Sequence, residues 1–179
     1  ELGDVTLAAN QVLLQFVYLA SYAMDGFVFA AESLVGQAMG ARAVTQLRRG
    51  ASVTAVWAFG SALLMAAGFW FVGPFVIDVM ARDPTVQQAA RLYLPHMVAA
   101  PLLGALAWML DGVFIGATRT KDMRNMMILS FLGYCGLVLL LLPSFGNHGL
   151  WMAMNGFFVL RGVSLALRYP ALERVAAAP

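Results

Sequence analysis

The sequence predicts an all-α, polytopic transmembrane helical bundle, and three observations predict it. Five long apolar stretches, separated by short polar loops, account for nearly all of the 179 residues. Hydrophobic residues make up 61% of the chain and charged residues 11%, where soluble domains carry about 25% charged residues; the mean hydropathy is +0.79. The stretches lack the two-residue alternation of barrel strands, and over such lengths in lipid only a helix satisfies its own backbone.

The elements follow in order. The first span is expected from about Leu7 to Met39. It is longer than the roughly 30 Å of hydrocarbon requires at about 1.5 Å per residue, so it should tilt or protrude. The second, Ala51 to Met80, contains Gly68, Gly73 and Pro74; the third, Tyr93 to Ala117, has Pro95 and Pro101 near its start. The fourth, Met126 to Leu142, is expected to stop at Pro143, and the fifth runs from Leu150 to Leu167. The chain opens at Glu1 on a short polar segment with no basic region or cleavage pattern. A signal peptide is therefore not expected, and the sequence reads as a piece of a longer one.

Basic residues set the orientation. Arg42, Arg48 and Arg49 follow the first span, Arg119, Lys121 and Arg124 the third, and Arg168 and Arg174 the fifth. The loop after the second holds Arg82 and Arg91 diluted by Asp83, and Pro143 to Gly149 holds none. Alternate loops are basic, so the C-terminus is expected in the cytoplasm and the end with Glu1 and Asp4 outside. A chain that starts outside needs an earlier span to bring it there, which predicts an even number of helices in this lobe.

Several functions are excluded. A net charge of +2 with scattered Lys and Arg does not build a nucleic-acid surface. The single cysteine, Cys135, forms no intrachain disulfide, and no Cys/His cluster calls for a metal. Phosphate loops, HExxH and G-x-S-x-G patterns are absent, so neither an enzyme nor a cofactor is expected.

The chemistry lies in polar groups inside the spans. At about 100° per residue, Gln11, Gln15, Tyr18, Tyr22, Asp25 and Glu32 fall on one arc of about 100°; Leu13, Ala20, Val28 and Ala31 lie opposite. Such a stripe points at a bundle interior or a water-filled cavity. The glutamines and tyrosines serve equally as hydrogen-bonding ties between helices. A mid-membrane carboxylate costs about 2.5 kcal/mol or more on insertion scales, and desolvation raises carboxylate pKa values, which suits a proton carrier. Asp25 is therefore the foremost proton-coupling candidate, followed by Glu32, for which an ion pair with Arg42 or Arg48 is the competing reading. Asp111, in the third span, is flanked by Gly104, Gly112 and Gly116, with Trp108 one turn earlier. It is the third candidate; pairing with Arg119, Lys121 or Arg124 competes. Arg161, inside the fifth span, either snorkels or neutralises a carboxylate of another helix. Asp78 reads as interfacial, and His96 as structural. Gly36 and Gly40 form a small-xxx-small pair.

Two segments carry a family resemblance: LAANQVLLQFVYLASYAMDGFVFAAESLVGQAMGAR, from Leu7 to Arg42, and MLDGVFIGATRTKDMRN, from Met109 to Asn125. They resemble the second and fourth helices of one half of multidrug and toxic compound extrusion (MATE) transporters. The Asp-Gly steps at Asp25 and Asp111, with Phe27 and Phe114 close behind them, point to the DNA-damage-inducible F branch. The resemblance implies a C-terminal lobe without its first helix, facing an N-terminal bundle of the same polypeptide across a central cavity, in a bacterial inner membrane. It implies export of small organic, often cationic, compounds against protons or sodium. Asp111 occupies the place of a coupling carboxylate in some members. Sodium-coupled members carry a tyrosine one turn before it, where this chain has Ala107, so protons are the expected coupling ion. Cavity-lining candidates are Gln11, Gln15, Tyr18, Tyr22, Trp108 and Arg161. The alternatives are a lipid-precursor flippase of the same superfold and a non-transporting membrane scaffold subunit.

Overall fold

The computed structural model of the chain describes residues 3–177. Five helices follow one another: α1 (Asp4–Gly40), α2 (Val44–Met80), α3 (Pro84–Gly116), α4 (Thr120–Phe145) and α5 (Asn147–Ala176). All five are long and apolar enough to cross a membrane. Glu1, expected with the outer charges, lies outside the described residues.

Each helix runs past the span the sequence marks out, because polar turns extend it beyond the apolar core. α3 gains most. Asp83 caps its N-terminus, accepting from the Thr85 backbone N–H at 2.8 Å and the Thr85 hydroxyl at 2.7 Å. Pro84 follows at the first helical position, where a missing N–H costs nothing. Those two bonds hold the Asp83 carboxyl below its ordinary pKa. α4 does not stop at Pro143 but continues to Phe145. A proline in the last turn forfeits a single helical bond. The actual terminator is Gly146, whose φ of 55° reverses the chain within one residue. α1 and α3 end alike: Arg42 and Thr118 adopt φ of 52° and 56°. Beyond them the Ala43 and Arg119 N–H groups return to Ala38 and Phe114 carbonyls at 2.9 Å, a Schellman closure.

Short connections make sequence neighbours antiparallel, so α1, α3 and α5 run in one sense. One end of the bundle carries Arg42, Arg48, Arg49, Arg119, Lys121, Arg124, Arg168 and Arg174, and is called here the arginine end. The opposite end carries Asn10, His148 and Asn147, and is called the amide end. α3 is the central helix, packed on α1, α2 and α5; α4 leans mainly on α5.

Helix association in lipid relies on close van der Waals packing rather than on expulsion of water, and the buried positions are small. Ala20, Ala31, Ala58, Ala62, Ala100 and Ala105 are fully buried. The α1–α3 seam is closest of all: a Cβ on Gly112 would fall on the Val28 carbonyl oxygen, and one on Gly116 on the Glu32 carbonyl oxygen. The outer faces of α2 and α4 display Val56, Leu64, Phe71, Phe75, Leu139 and Leu140. A water-soluble monomer does not expose such surface; here it meets lipid, and the chain is a multi-pass membrane protein.

Buried apolar side chains form two clusters. One, toward the arginine end, contains Met24, Val35, Leu47, Met109, Phe114, Leu165 and Leu172. The other, toward the amide end, contains Leu13, Phe16, Ile77, Leu94, Met97, Trp151 and Phe158. Trp108 packs against both.

Candidate functional site

The waist between the two clusters holds the deepest charges. Arg161, midway along α5, reaches α3 and grips Asp111 with both edges of its guanidinium: Nη2 donates to Oδ1 at 2.7 Å and Nε to Oδ2 at 3.3 Å. The side chains are 8% and 16% exposed. The remaining guanidinium nitrogen, Nη1, meets the Met127 Sδ of α4. One turn on, the Ser164 hydroxyl donates to the Arg161 carbonyl at 3.0 Å. Such a fork-to-fork contact suits a desolvated carboxylate better than a lysine would.

This arrangement separates the expected roles. Asp111 does not pair with Arg119, Lys121 or Arg124. Arg119 instead bonds Asp122 in the next turn, at 2.8 Å. Arg161 does not snorkel and is not an open wall residue; it is buried among α3, α4 and α5. Trp108 is half-buried, its ring edge-on to Phe158 at 5.3 Å.

Glu32 has neither of its expected partners. Arg48 forms a two-pronged contact with Glu173 of α5, both bonds at 2.8 Å, which joins α2 to α5 at the arginine end. The Arg48 hydrogen bond holds the Glu173 carboxyl below the usual glutamate range. Among the described residues, neither Asp25 nor Glu32 takes part in an ion pair.

The stripe on α1 lies open. Leu13, Ala20 and Ala31 are fully buried, while Tyr18 is 49% and Tyr22 71% exposed. Gln11 and Gln15 are exposed; Asp25 and Glu32 are half-buried. The part of the arc from Gln11 to Tyr22 therefore faces away from the other four helices, while Asp25 and Glu32 form its half-buried edge, Glu32 against Gly116 of α3. Gln15 edges an apolar groove of about 360 Å³ between α1 and α2, lined by Phe16, Met65, Phe69 and Val72. Because Gly112 abuts Val28 and Gly116 abuts Glu32 in parallel helices, Asp25 and Asp111 stand within about one helical turn of each other in height. Two carboxylates at one depth thus have opposite circumstances. One is neutralised by an internal cation; the other is unpaired at the edge of an open polar face.

Some polar groups escaped the sequence reading. Asn10 and Asn147 exchange amide hydrogen bonds at 2.7 and 2.9 Å, and Trp151 Nε1 donates to Asn10 at 2.8 Å. Asn10 lies about 100° round the helix from Gln11, just outside the arc, so the stripe passes it over; its depth in an apolar span was the available signal. His148, met by His96 of α3, sits in a loop noted only for lacking Lys and Arg.

The comparisons agree with this architecture. The sequence matches the MatE family over residues 1–142. It is 40% identical over 171 residues to DNA damage-inducible protein F of Escherichia coli, an alignment covering 92% of this chain and 36% of that protein. It is 30% identical to the probable multidrug resistance protein NorM of Pseudomonas aeruginosa, covering 94% and 36%. It is 26% identical to Protein DETOXIFICATION 42 of Arabidopsis thaliana, covering 89% and 31%. The chain thus spans about a third of the length of these relatives. With the family match running through the first four helices, including Asp25 and Asp111, the chain belongs to the MatE (multidrug and toxic compound extrusion) family.

Proposed function

We propose that this chain is the C-terminal lobe of a secondary active exporter that exchanges protons for small organic, often cationic, compounds across a bacterial inner membrane. In this reading the arginine end and the C-terminus face the cytoplasm, and the open stripe of α1 faces a cavity closed by an N-terminal bundle. The names of the relatives, a probable multidrug resistance protein and a DETOXIFICATION protein, support an efflux role.

The observation that carries the reading is Asp25: a half-buried carboxylate without an ion pair, at mid-span, at the edge of a polar face that is open from Gln11 to Tyr22. Holding such a group in lipid costs free energy that an ion pair would offset. A proton neutralises it from one side of the membrane, and a cationic substrate replaces that proton from the other. Differential affinity of the two states for the two cations is all that alternating access requires. Asp111 is the less available carboxylate, because a proton must displace Arg161. Sodium is the less fitting ion: the position one turn before Asp111 is Ala107, fully buried and without an oxygen ligand in its side chain. A flippase for anionic lipid precursors would need free cations in the cavity, and Arg161 is already neutralised.

The test is efflux against an imposed pH gradient by the full-length protein, normalised to folded protein. Asp25→Asn is expected to fold and to lose proton-driven efflux, because an amide exchanges no proton. Wild-type coupling in that variant would return Asp25 to a structural role.

A further inference from the structure

At the amide end, on the far side of the waist from Asp111, two imidazoles face each other across the α3–α5 interface. His96 Nε2 and His148 Nδ1 are 2.9 Å apart, with ring centroids at 5.2 Å and planes at 62°. A nitrogen–nitrogen contact that short needs one hydrogen between the two atoms: one nitrogen donates, the other offers its lone pair. We propose that His96 and His148 together form a proton-binding site distinct from the carboxylates, taking up one proton as a pair with their contact kept, and parting when a second arrives.

The count of hydrogens gives this behaviour. In the neutral pair each ring carries one N–H, and one of these lies in the contact. A first proton makes one ring imidazolium. The facing hydrogen bond survives and becomes charge-assisted, hence stronger. A second proton places an N–H on both facing nitrogens. Two donors and two positive charges then oppose each other, and the contact breaks.

The surroundings leave that proton uncontested. Tyr93 of α3 sets its ring edgewise on His148 at 4.8 Å. From α5, Asn155 Nδ2 donates to the His96 backbone carbonyl at 3.0 Å, while its buried Oδ1 has no hydrogen-bond partner among the described residues. Asn147 is held by Asn10 of α1 and fixes the start of α5 beside His148. Among the described residues, the charged groups of this end are Asp4 on α1, Asp78 on α2, Arg82 and Asp83 in the connection, and Arg91 on α3; the last turns of α4 carry none. Asp78 is bound by Arg91 at 2.6 Å, and Asp83 by Thr85. Among the described residues, no ion pair or hydrogen bond joins any of these to either ring. The site stands whether or not the transport reading does, since it rests on the contact alone.

The chain contains only these two histidines, so nitrogen-15 histidine labelling of the 179-residue chain in lipid nanodiscs reports on this pair and nothing else. At neutral pH a nitrogen–nitrogen coupling across the hydrogen bond is expected. On acidification the two rings should titrate as one unit, in two steps more than about one pH unit apart. The coupling should survive the first step and vanish at the second. In His148→Gln, His96 should titrate in a single step. If that variant loses its helical signal, the wild-type coupling alone decides. Absence of the coupling at every pH, or two rings titrating independently at similar pH, would overturn the proposal.

Discussion

A single guanidinium decides how much Asp111 can do. Arg161 holds Asp111 through two hydrogen bonds in a place nearly closed to water. Removing one partner leaves the other charge buried and uncompensated. Asp111→Leu is therefore expected to destabilise the bundle by about 3 kcal/mol, and Arg161→Met by a similar amount. The double variant Asp111→Leu with Arg161→Met should recover most of that loss, because an apolar pair needs no desolvated partner. Unfolding of the four proteins in mixed detergent micelles would measure the cycle; additive losses would mean that the two residues do not interact. The members of this pair were legible in the sequence, each being a charge inside an apolar span. Their pairing was not. Arg119, Lys121 and Arg124 lie nearer to Asp111 along the chain, and only the α3–α5 packing brings Arg161 across. Glu32 teaches the same lesson from the other side: Arg48 was one of its two expected cations, yet Glu173, 125 residues away from that arginine, claims it.

At the scale of the helix, the sequence reading was strong in number and type and weak at the ends. Five apolar runs gave five helices, because a run without the two-residue alternation of a barrel strand satisfies its backbone in lipid only as a helix. Their ends depend on capping chemistry that hydropathy does not see: the Asp83–Thr85 cap, the left-handed Arg42 and Thr118, and the reversal at Gly146 rather than Pro143. Glycine positions separate into two kinds. Gly112 has no room for a side chain against the Val28 carbonyl, whereas Gly26, one position after Asp25, has open space around its Cα. Gly112→Ala should force α1 and α3 apart and destabilise the bundle by about 1–3 kcal/mol. Gly26→Ala should be neutral or slightly stabilising, by up to about 1 kcal/mol, through better helix propensity. Thermal unfolding of the two variants in one detergent would compare them directly. Equal effects would contradict the close α1–α3 seam.

For the whole molecule, the asymmetry of charge between the two ends predicts its placement. With Cys135→Ala as background, Lys121→Cys should resist an impermeant thiol reagent on intact cells, and Ser144→Cys, exposed at the amide end, should react with it. The reverse pattern would invert the orientation. The division of the core into two clusters was not legible, since both are built from the same alternation of alanine with larger apolar residues along the same helices. It has a mechanical meaning. A rod with one continuous core melts as a unit, but a rod whose two cores meet at one indole has a weak plane across its middle. Amide hydrogens of residues 24–38 and 165–176 should therefore exchange with deuterium at one collective rate, and those of 9–17 and 151–158 at another. Trp108→Ala should widen the gap between the two rates. A lobe built this way is able to flex at its middle, one end loosening while the other keeps its shape.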